Sequence, residues 1–171
     1  AKAWTGTIYI RADGSIDPPT APISTVDNVT YVLTGNITSD TVGIVVERDN
    51  VVVDGTGCIV QGKMASNSMG IDLERSNVTI KNMNIKAFDN GIYLHSSNNS
   101  VSGNNITNSY WGIWLNSSSS NSIGGNNIDR SVGRGINLIY SLGNSISGNN
   151  ITNSGYGFYL DYSYFNSISG N

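Results

Sequence analysis

Charge is scarce in this chain. Only 12% of its 171 residues are Asp, Glu, Lys or Arg, about half the share usual for globular proteins, so polarity has to come from amides and hydroxyls. The formal net charge of −3 and the lack of a basic stripe argue against a nucleic-acid partner. One cysteine, Cys58, excludes an intrachain disulfide. Its flanks, Val-Asp-Gly-Thr-Gly-Cys-Ile-Val, read as a small buried apolar side chain. One histidine, His95, leaves a copper or zinc site without its ordinary ligands. No apolar run approaches the ~20 residues of a membrane span. No signal peptide is recognisable, and the Ala-Lys-Ala start suits a chain whose leader has been removed. Gly, Asn and Ser recur too often in any 11-residue window of the second half for helices.

What the chain has instead is a repeat. The glycines of Gly-Ile-Tyr-Leu (91–94), Gly-Ile-Trp-Leu (112–115), Gly-Ile-Asn-Leu (135–138) and Gly-Phe-Tyr-Leu (157–160) stand 21, 23 and 22 residues apart. Asn-Ser-Val-Ser-Gly-Asn-Asn-Ile-Thr-Asn (99–108) recurs in step at 121–128, 144–153 and 166–171. A unit this short cannot bury its own apolar face, so successive units must stack on one core. Apolar residues alternate in three short bursts per unit, as at Ile92 and Leu94, Val101, and Ile106, which describes three strands joined by tight corners. The fold class expected is all-β, a parallel β-helix with three short strands per coil. Residues 42–171 make about six coils, the last incomplete, and residues 1–41 form an N-terminal cap of short strands.

The alignment predicts inward columns. One runs Ile44, Ile71, Ile92, Ile113, Ile136, Phe158 and the next Val46, Leu73, Leu94, Leu115, Leu138, Leu160. On the other faces stand Val53, Ile80, Val101, Ile123, Ile146, Ile168 and Ile59, Ile85, Ile106, Ile128, Ile151. Asn50, Asn77, Asn99, Asn121, Asn144 and Asn166 are expected at one corner, where Asn tolerates left-handed φ and its amide can bond to the coils above and below. A longer coil carries one extra residue at Thr56–Gly57 and five within Gly62–Met69, the latter protruding as a loop.

The runs Asn-Ser-Ile-Ser-Gly-Asn-Asn-Ile-Thr-Asn-Ser and Gly-Ile-x-Leu resemble those of right-handed parallel β-helix repeat proteins of pectin-lyase-like fold. The opening Thr-Ile-Tyr-Ile-Arg-Ala-Asp-Gly-Ser-Ile-Asp-Pro-Pro-Thr-Ala-Pro-Ile and the later Val-Glu-Arg-Asp-Asn-Val-Val-Val-Asp-Gly are similar to the N-termini of large archaeal surface proteins of this class. The resemblance covers essentially the whole chain and implies a right-handed helix and an extracellular or cell-surface location. It leaves activity open, because the class holds lyases, hydrolases, adhesins and structural proteins, together with a periplasmic copper-associated family.

Catalysis is not expected. Glycoside cleavage needs two carboxylates at a defined separation, and beyond residue 90 the only acids are Asp129 and Asp161. The paired-Asp, Gly-His-Gly and Arg-x-Lys patterns of β-helix pectinases do not occur. Glu47, Glu74, His95 and Asn116 stack one per coil at a strand end, where adjacent carboxylate and imidazole groups could pair or chelate; a plain solvent-facing column is the simpler reading, and no metal or cofactor is expected. The outward column Val45, Asp72, Tyr93, Trp114, Asn137, Tyr159 is richer, with Phe88, Trp111, Tyr140, Tyr156, Tyr162, Tyr164 and Phe165 adding aromatics. Tyr93, Trp111, Trp114, Tyr156 and Tyr159 are candidates for stacking on sugars or for contact with another protein, against a reading with no specific role.

Seven Asn-x-Ser/Thr triplets, at Asn28, Asn36, Asn77, Asn98, Asn105, Asn116 and Asn150, are glycosylation candidates in an extracellular setting, with Asn98 and Asn116 at corners and most accessible. The function expected is a non-catalytic extracellular structural protein, a β-solenoid subunit of a surface layer or fibre. A carbohydrate-binding or adhesin module and a remnant of a polysaccharide-processing enzyme are the alternatives. Its partners would be further copies of itself, other surface proteins or glycans. Head-to-tail joining is expected through Trp4, Ile8 and Ile10 of one copy and Phe158, Leu160 and Ile168 of the next.

Overall fold

The computed structural model describes residues 3–171, so Ala1 and Lys2 of the expected mature start lie outside the described residues. Three parallel sheets run the length of the chain. The first holds Trp4–Thr5, Ile37–Thr38, Ile59–Gln61, Asn84–Lys86, Asn105–Thr107, Asn127–Asp129 and Asn150–Thr152. The second holds Ile8–Ile10, Val42–Val46, Met69–Leu73, Asn90–Leu94, Trp111–Asn116, Arg134–Ile139 and Tyr156–Asp161, with Ile16–Asp17 antiparallel at its edge. The third holds Thr30–Leu33, Val52–Asp54, Thr79–Lys81, Ser100–Ser102, Ser122–Gly124, Ser145–Ser147 and Ser167–Ser169, with Ile23–Thr25 antiparallel at its edge. Each coil contributes one strand to each sheet, and inward Ile, Leu and Val make one continuous core. Each such side chain contributes about 1.5–3 kcal/mol on burial.

The two columns of the second sheet are in the expected register, Ile71–Ile92–Ile113–Ile136–Phe158 and Leu73–Leu94–Leu115–Leu138–Leu160. They also extend one coil upstream, where Ile8 pairs with Ile44 and Ile10 with Val46. Tyr31 likewise precedes Val53, and Ile37 precedes Val60. Residues 8–38 therefore make a coil of their own. The excursion 11–29, which supplies the antiparallel edge strands, stretches its spacing beyond recognition. The segment Trp4–Ile10 is two strands in two different sheets. They break at Gly6, whose φ of 140° and missing Cβ (one would lie 2.9 Å from the Trp4 ring) let the chain turn the corner.

That placement corrects the expected assembly surface. Ile8 and Ile10 are fully buried, and their strand has Val42–Val46 on one edge and Ile16–Asp17 on the other. It has no free edge to offer a second copy. Trp4 is packed against the core, Phe158 is half-buried, and Leu160 and Ile168 are exposed.

The longer coil is corrected in detail. Ile85 pairs with Val60 rather than Ile59, and Val60 is the fully buried residue. The turn at Thr56, which has a φ of 48°, takes up two residues instead of one and turns the side chains of Ile59–Gln61 to the opposite face. Lys63–Asn67 protrude as expected, all exposed.

The asparagine corner separates into two adjacent columns. Left-handed φ falls on Asn50, Asn77, Asn98, Ser120, Gly143 and Phe165. The amide ladder falls one residue later, on Asn99, Asn121, Asn144 and Asn166. There each Oδ1 accepts the backbone N–H of the preceding coil, from Val78 at 2.9 Å and from Asn99, Asn121 and Asn144 at 2.8 Å. A second interior ladder, Asn104–Asn126–Asn149–Asn171, repeats the arrangement between the third and first sheets. A third lies on the outside of the first sheet, where Asn105, Asn127 and Asn150 donate to Asn84, Asn105 and Asn127. Buried amides have to find partners, and in the two interior ladders the coils on either side supply most of them.

Candidate functional site

The outer face of the second sheet differs from the other two. The first and third sheets turn mainly Asn, Ser, Thr and Lys outward. The second turns out Asp72 and Glu74, then Tyr93 and His95, then Trp111, Trp114 and Asn116, then Arg134 and Asn137, and finally Tyr156, Tyr159 and Asp161. The register places Asp72, Tyr93, Trp114, Asn137 and Tyr159 side by side on successive strands.

The aromatic side chains touch one another. Trp111 and Trp114 have ring centroids 4.5 Å apart, Tyr93 and Trp114 5.1 Å, and Tyr110 and Trp111 5.0 Å, all at tilted or edge-on angles. Such geometries add to area burial and fix the rings in place. The Tyr93 hydroxyl accepts from Asn116 Nδ2 at 2.8 Å. Farther along, the Arg134 guanidinium lies 3.6 Å from the Tyr159 ring centre, and its Nη1 donates to Asn137 Oδ1 at 3.0 Å. Two donors on this face have no partner: Nε1 of Trp114 and Nδ2 of Asn137, the latter on a residue that is 0% exposed.

The remaining aromatics are scattered. Phe88, expected on the surface, is fully buried because it fills the space beneath the Lys63–Asn67 loop, against Gly62 and Gly70. Tyr140 and Tyr162 stack on each other at a corner, with centroids 5.2 Å apart. Tyr156, Tyr164 and Phe165 are exposed.

Of the acid–imidazole column, Glu47 is drawn away by Arg11, which donates to it at 3.1 Å and also pairs with Asp17. Asp72, Glu74 and His95 remain together, with ligand atoms within 4.8 Å of one another. His95 Nε2 donates to Asp72 Oδ1 at 2.9 Å, and its ring stacks on Tyr93 with centroids 5.1 Å apart. The partner that matters is Asp72 rather than Glu74. Residues i and i+2 of a strand share a face, which is the signal in the sequence that would have found it.

The Asp72 hydrogen bond raises the His95 pKa above its ordinary value of 6.5, against the opposing effect of burial. With a raised folded-state pKa, the pair contributes its full stability below pH 6.5. That contribution is lost as pH rises through the folded value. Asp72→Asn should return the His95 titration toward 6.5 and flatten the stability profile above it, read by the imidazole proton resonances. An unchanged His95 titration in that variant would refute the pairing.

The glycosylation candidates divide by what their amides do. Asn28, Asn36, Asn77, Asn98 and Asn150 are exposed. Asn105 is half-buried in the outer ladder. Asn116, expected at an accessible corner, ends a strand, half-buried and bonded to Tyr93. It is the less accessible of the two corner candidates.

Two comparisons with known proteins find nothing: no curated protein and no solved structure matches this chain. The third does. A family model described as NosD, periplasmic copper-binding protein, matches residues 13–171. The residues present do not fit copper. Cys58, the sole thiol, sits at the turn before Ile59–Gln61 in another sheet. The Asp72–Glu74–His95 cluster offers two carboxylates and one imidazole whose Nε2 is already engaged. Cu(I) selects thiolate and thioether ligands and Cu(II) several nitrogens, and this cluster gathers neither set.

Proposed function

We infer that this chain, a member of the periplasmic copper-binding protein (NosD) family, is a non-catalytic β-solenoid that works outside the cytoplasm as a structural unit of a surface layer or fibre. The observation that carries the reading is the pair of interior asparagine ladders, which tie successive coils into one stiff stack. Such a stack has little to spend on chemistry and much on holding its shape. The carboxylates are mostly engaged one by one: Glu47 by Arg11, Asp40 by Lys63, Asp54 by Lys81, Asp72 by His95. Hydrogen bonds from Asn153 and Thr152 hold the Asp129 carboxyl below the usual range. Asp129 and Asp161 belong to different sheets. Immunogold electron microscopy of native envelopes tests the role. Regularly spaced label on surface material is expected; label confined to soluble protein would overturn it.

A second reading rests on the contiguous Tyr93–Trp111–Trp114 cluster, which favours carbohydrate binding. Half-buried indoles tilted against one another present fixed apolar surface to a sugar ring at little cost in side-chain entropy. Under this reading the wild-type chain retains a saccharide class on a glycan array, and the Trp111→Ala/Trp114→Ala pair loses it.

A further inference from the structure

We propose that Trp114, Arg134 and Asn137 form a site for the carboxylate of an acidic saccharide, with Trp111 and Tyr159 supplying the stacking surface. The proposal rests on the carbohydrate reading of this face and specifies which sugars it takes.

The argument is one of unmatched hydrogen-bonding groups. Asn137 is fully buried although it stands on an outward column, between Trp114 and Tyr159. Its Oδ1 accepts from Arg134 Nη1 at 3.0 Å, and this fixes the orientation of the amide. A flipped amide would set donor against donor, so Nδ2 is the group left over. Trp114 Nε1, on the adjacent strand at the same register, is also buried and unpartnered. A buried donor with no acceptor costs about 1–3 kcal/mol, and two in neighbouring residues form a local deficit of acceptors.

Arg134 adds to that deficit. Arg11 and Arg130 have carboxylate partners. Arg134, among the described residues, has an amide oxygen and the Tyr159 ring. A guanidinium carries five N–H donors, so most of its capacity remains free. The three donor residues stand on two adjacent strands, one of them is cationic, and two of their buried N–H groups have no acceptor. The nearest acid on this face, Asp161, lies two residues beyond Tyr159 on the same strand and bounds the patch on that side. A neutral sugar would bring hydroxyls, which donate as well as accept. A carboxylate brings two acceptor oxygens and the charge that Arg134 lacks, in the forked geometry that guanidinium groups bind best. Arg134 holds the Asn137 amide through Nη1 alone, so its other N–H donors can engage a ligand while that orientation is kept.

The test compares tetragalacturonic acid with its methyl ester, identical in ring stacking and different in charge. Binding is followed by tryptophan fluorescence and by the Trp114 indole and Asn137 amide N–H resonances. The acid should bind about tenfold more tightly, the value of one charged hydrogen bond, and should move both resonances downfield. Arg134→Gln should reduce acid binding to the level of the ester. Equal binding of acid and ester, or undiminished acid binding by Arg134→Gln, would overturn the carboxylate site and leave the stacking platform standing. Binding of neither would remove the platform reading and this proposal together.

Discussion

Gly112→Ala is expected to lower stability by about 3 kcal/mol, the upper range for overpacking a full interior, and the melting temperature by roughly 10 °C. Ordinarily alanine in a strand is no worse than glycine. Here a Cβ would lie 2.5 Å from the Gly135 carbonyl oxygen of the next coil, 2.6 Å from Ile128 Cγ2 and 3.1 Å from Ser131 Oγ. Two of those neighbours belong to the sheets themselves, so the coil spacing of about 4.8 Å would have to give. Gly157 is the internal control. It occupies the same column, and a Cβ there meets nothing within 4 Å, so Gly157→Ala should leave thermal unfolding almost unchanged. Equal losses at the two sites would show that the glycines serve flexibility rather than close approach.

Asn126→Ala should cost roughly 4 kcal/mol, the sum of about 1–3 kcal/mol for each buried polar group left unpaired. Its Oδ1 accepts both the backbone N–H and the side-chain Nδ2 of Asn104 at 3.0 Å. Its Nδ2 donates to the Val101 carbonyl at 2.9 Å and to Asn149 Oδ1 at 2.9 Å. Truncation strands the Asn104 backbone N–H and the Val101 carbonyl in the interior, where water cannot replace the amide, while Asn104 Nδ2 keeps the Ile80 carbonyl. Asn150→Ala, on the outer ladder, removes one exposed bond to Asn127 and should cost less than about 1 kcal/mol. Chemical denaturation of the two variants side by side reads the difference, and similar midpoints would show that the interior ladder is dispensable.

The comparison of Asn126 with Asn150 also marks how far the sequence could be read. Positions repeated at a constant spacing were legible: the Ile92–Ile113–Ile136 and Leu94–Leu115–Leu138 columns stand in the predicted register. Positions next to an insertion were not. The sequence alone points Ile59 inward where Val60 is, because one more residue in the turn and one fewer in the following loop leave the same total coil length. The first coil stayed hidden because 11–29 interrupts it between Ile10 and Thr30. Asn50 and Asn77 were joined to Asn99 by residue type, whereas backbone conformation joins them to Asn98. Phe88 looked like a surface aromatic because nothing local records that the Lys63–Asn67 loop needs filling from below. The aromatic face was predictable from period-two alternation. What Asn137 and Arg134 add to it was not, since Asn137 is buried although it stands on the outward column between Trp114 and Tyr159.

The same aromatics allow one direct test of where the function resides. Hydroxyl-radical footprinting of the chain in its native envelope, against the isolated chain, reads the solvent access of each aromatic side chain. The account predicts protection at Tyr93, Trp111, Trp114 and Tyr159, with Tyr140 and Tyr162 at the corner equally reactive in both. Protection at Tyr140 and Tyr162, with the second-sheet face reacting as freely as in isolation, would contradict it.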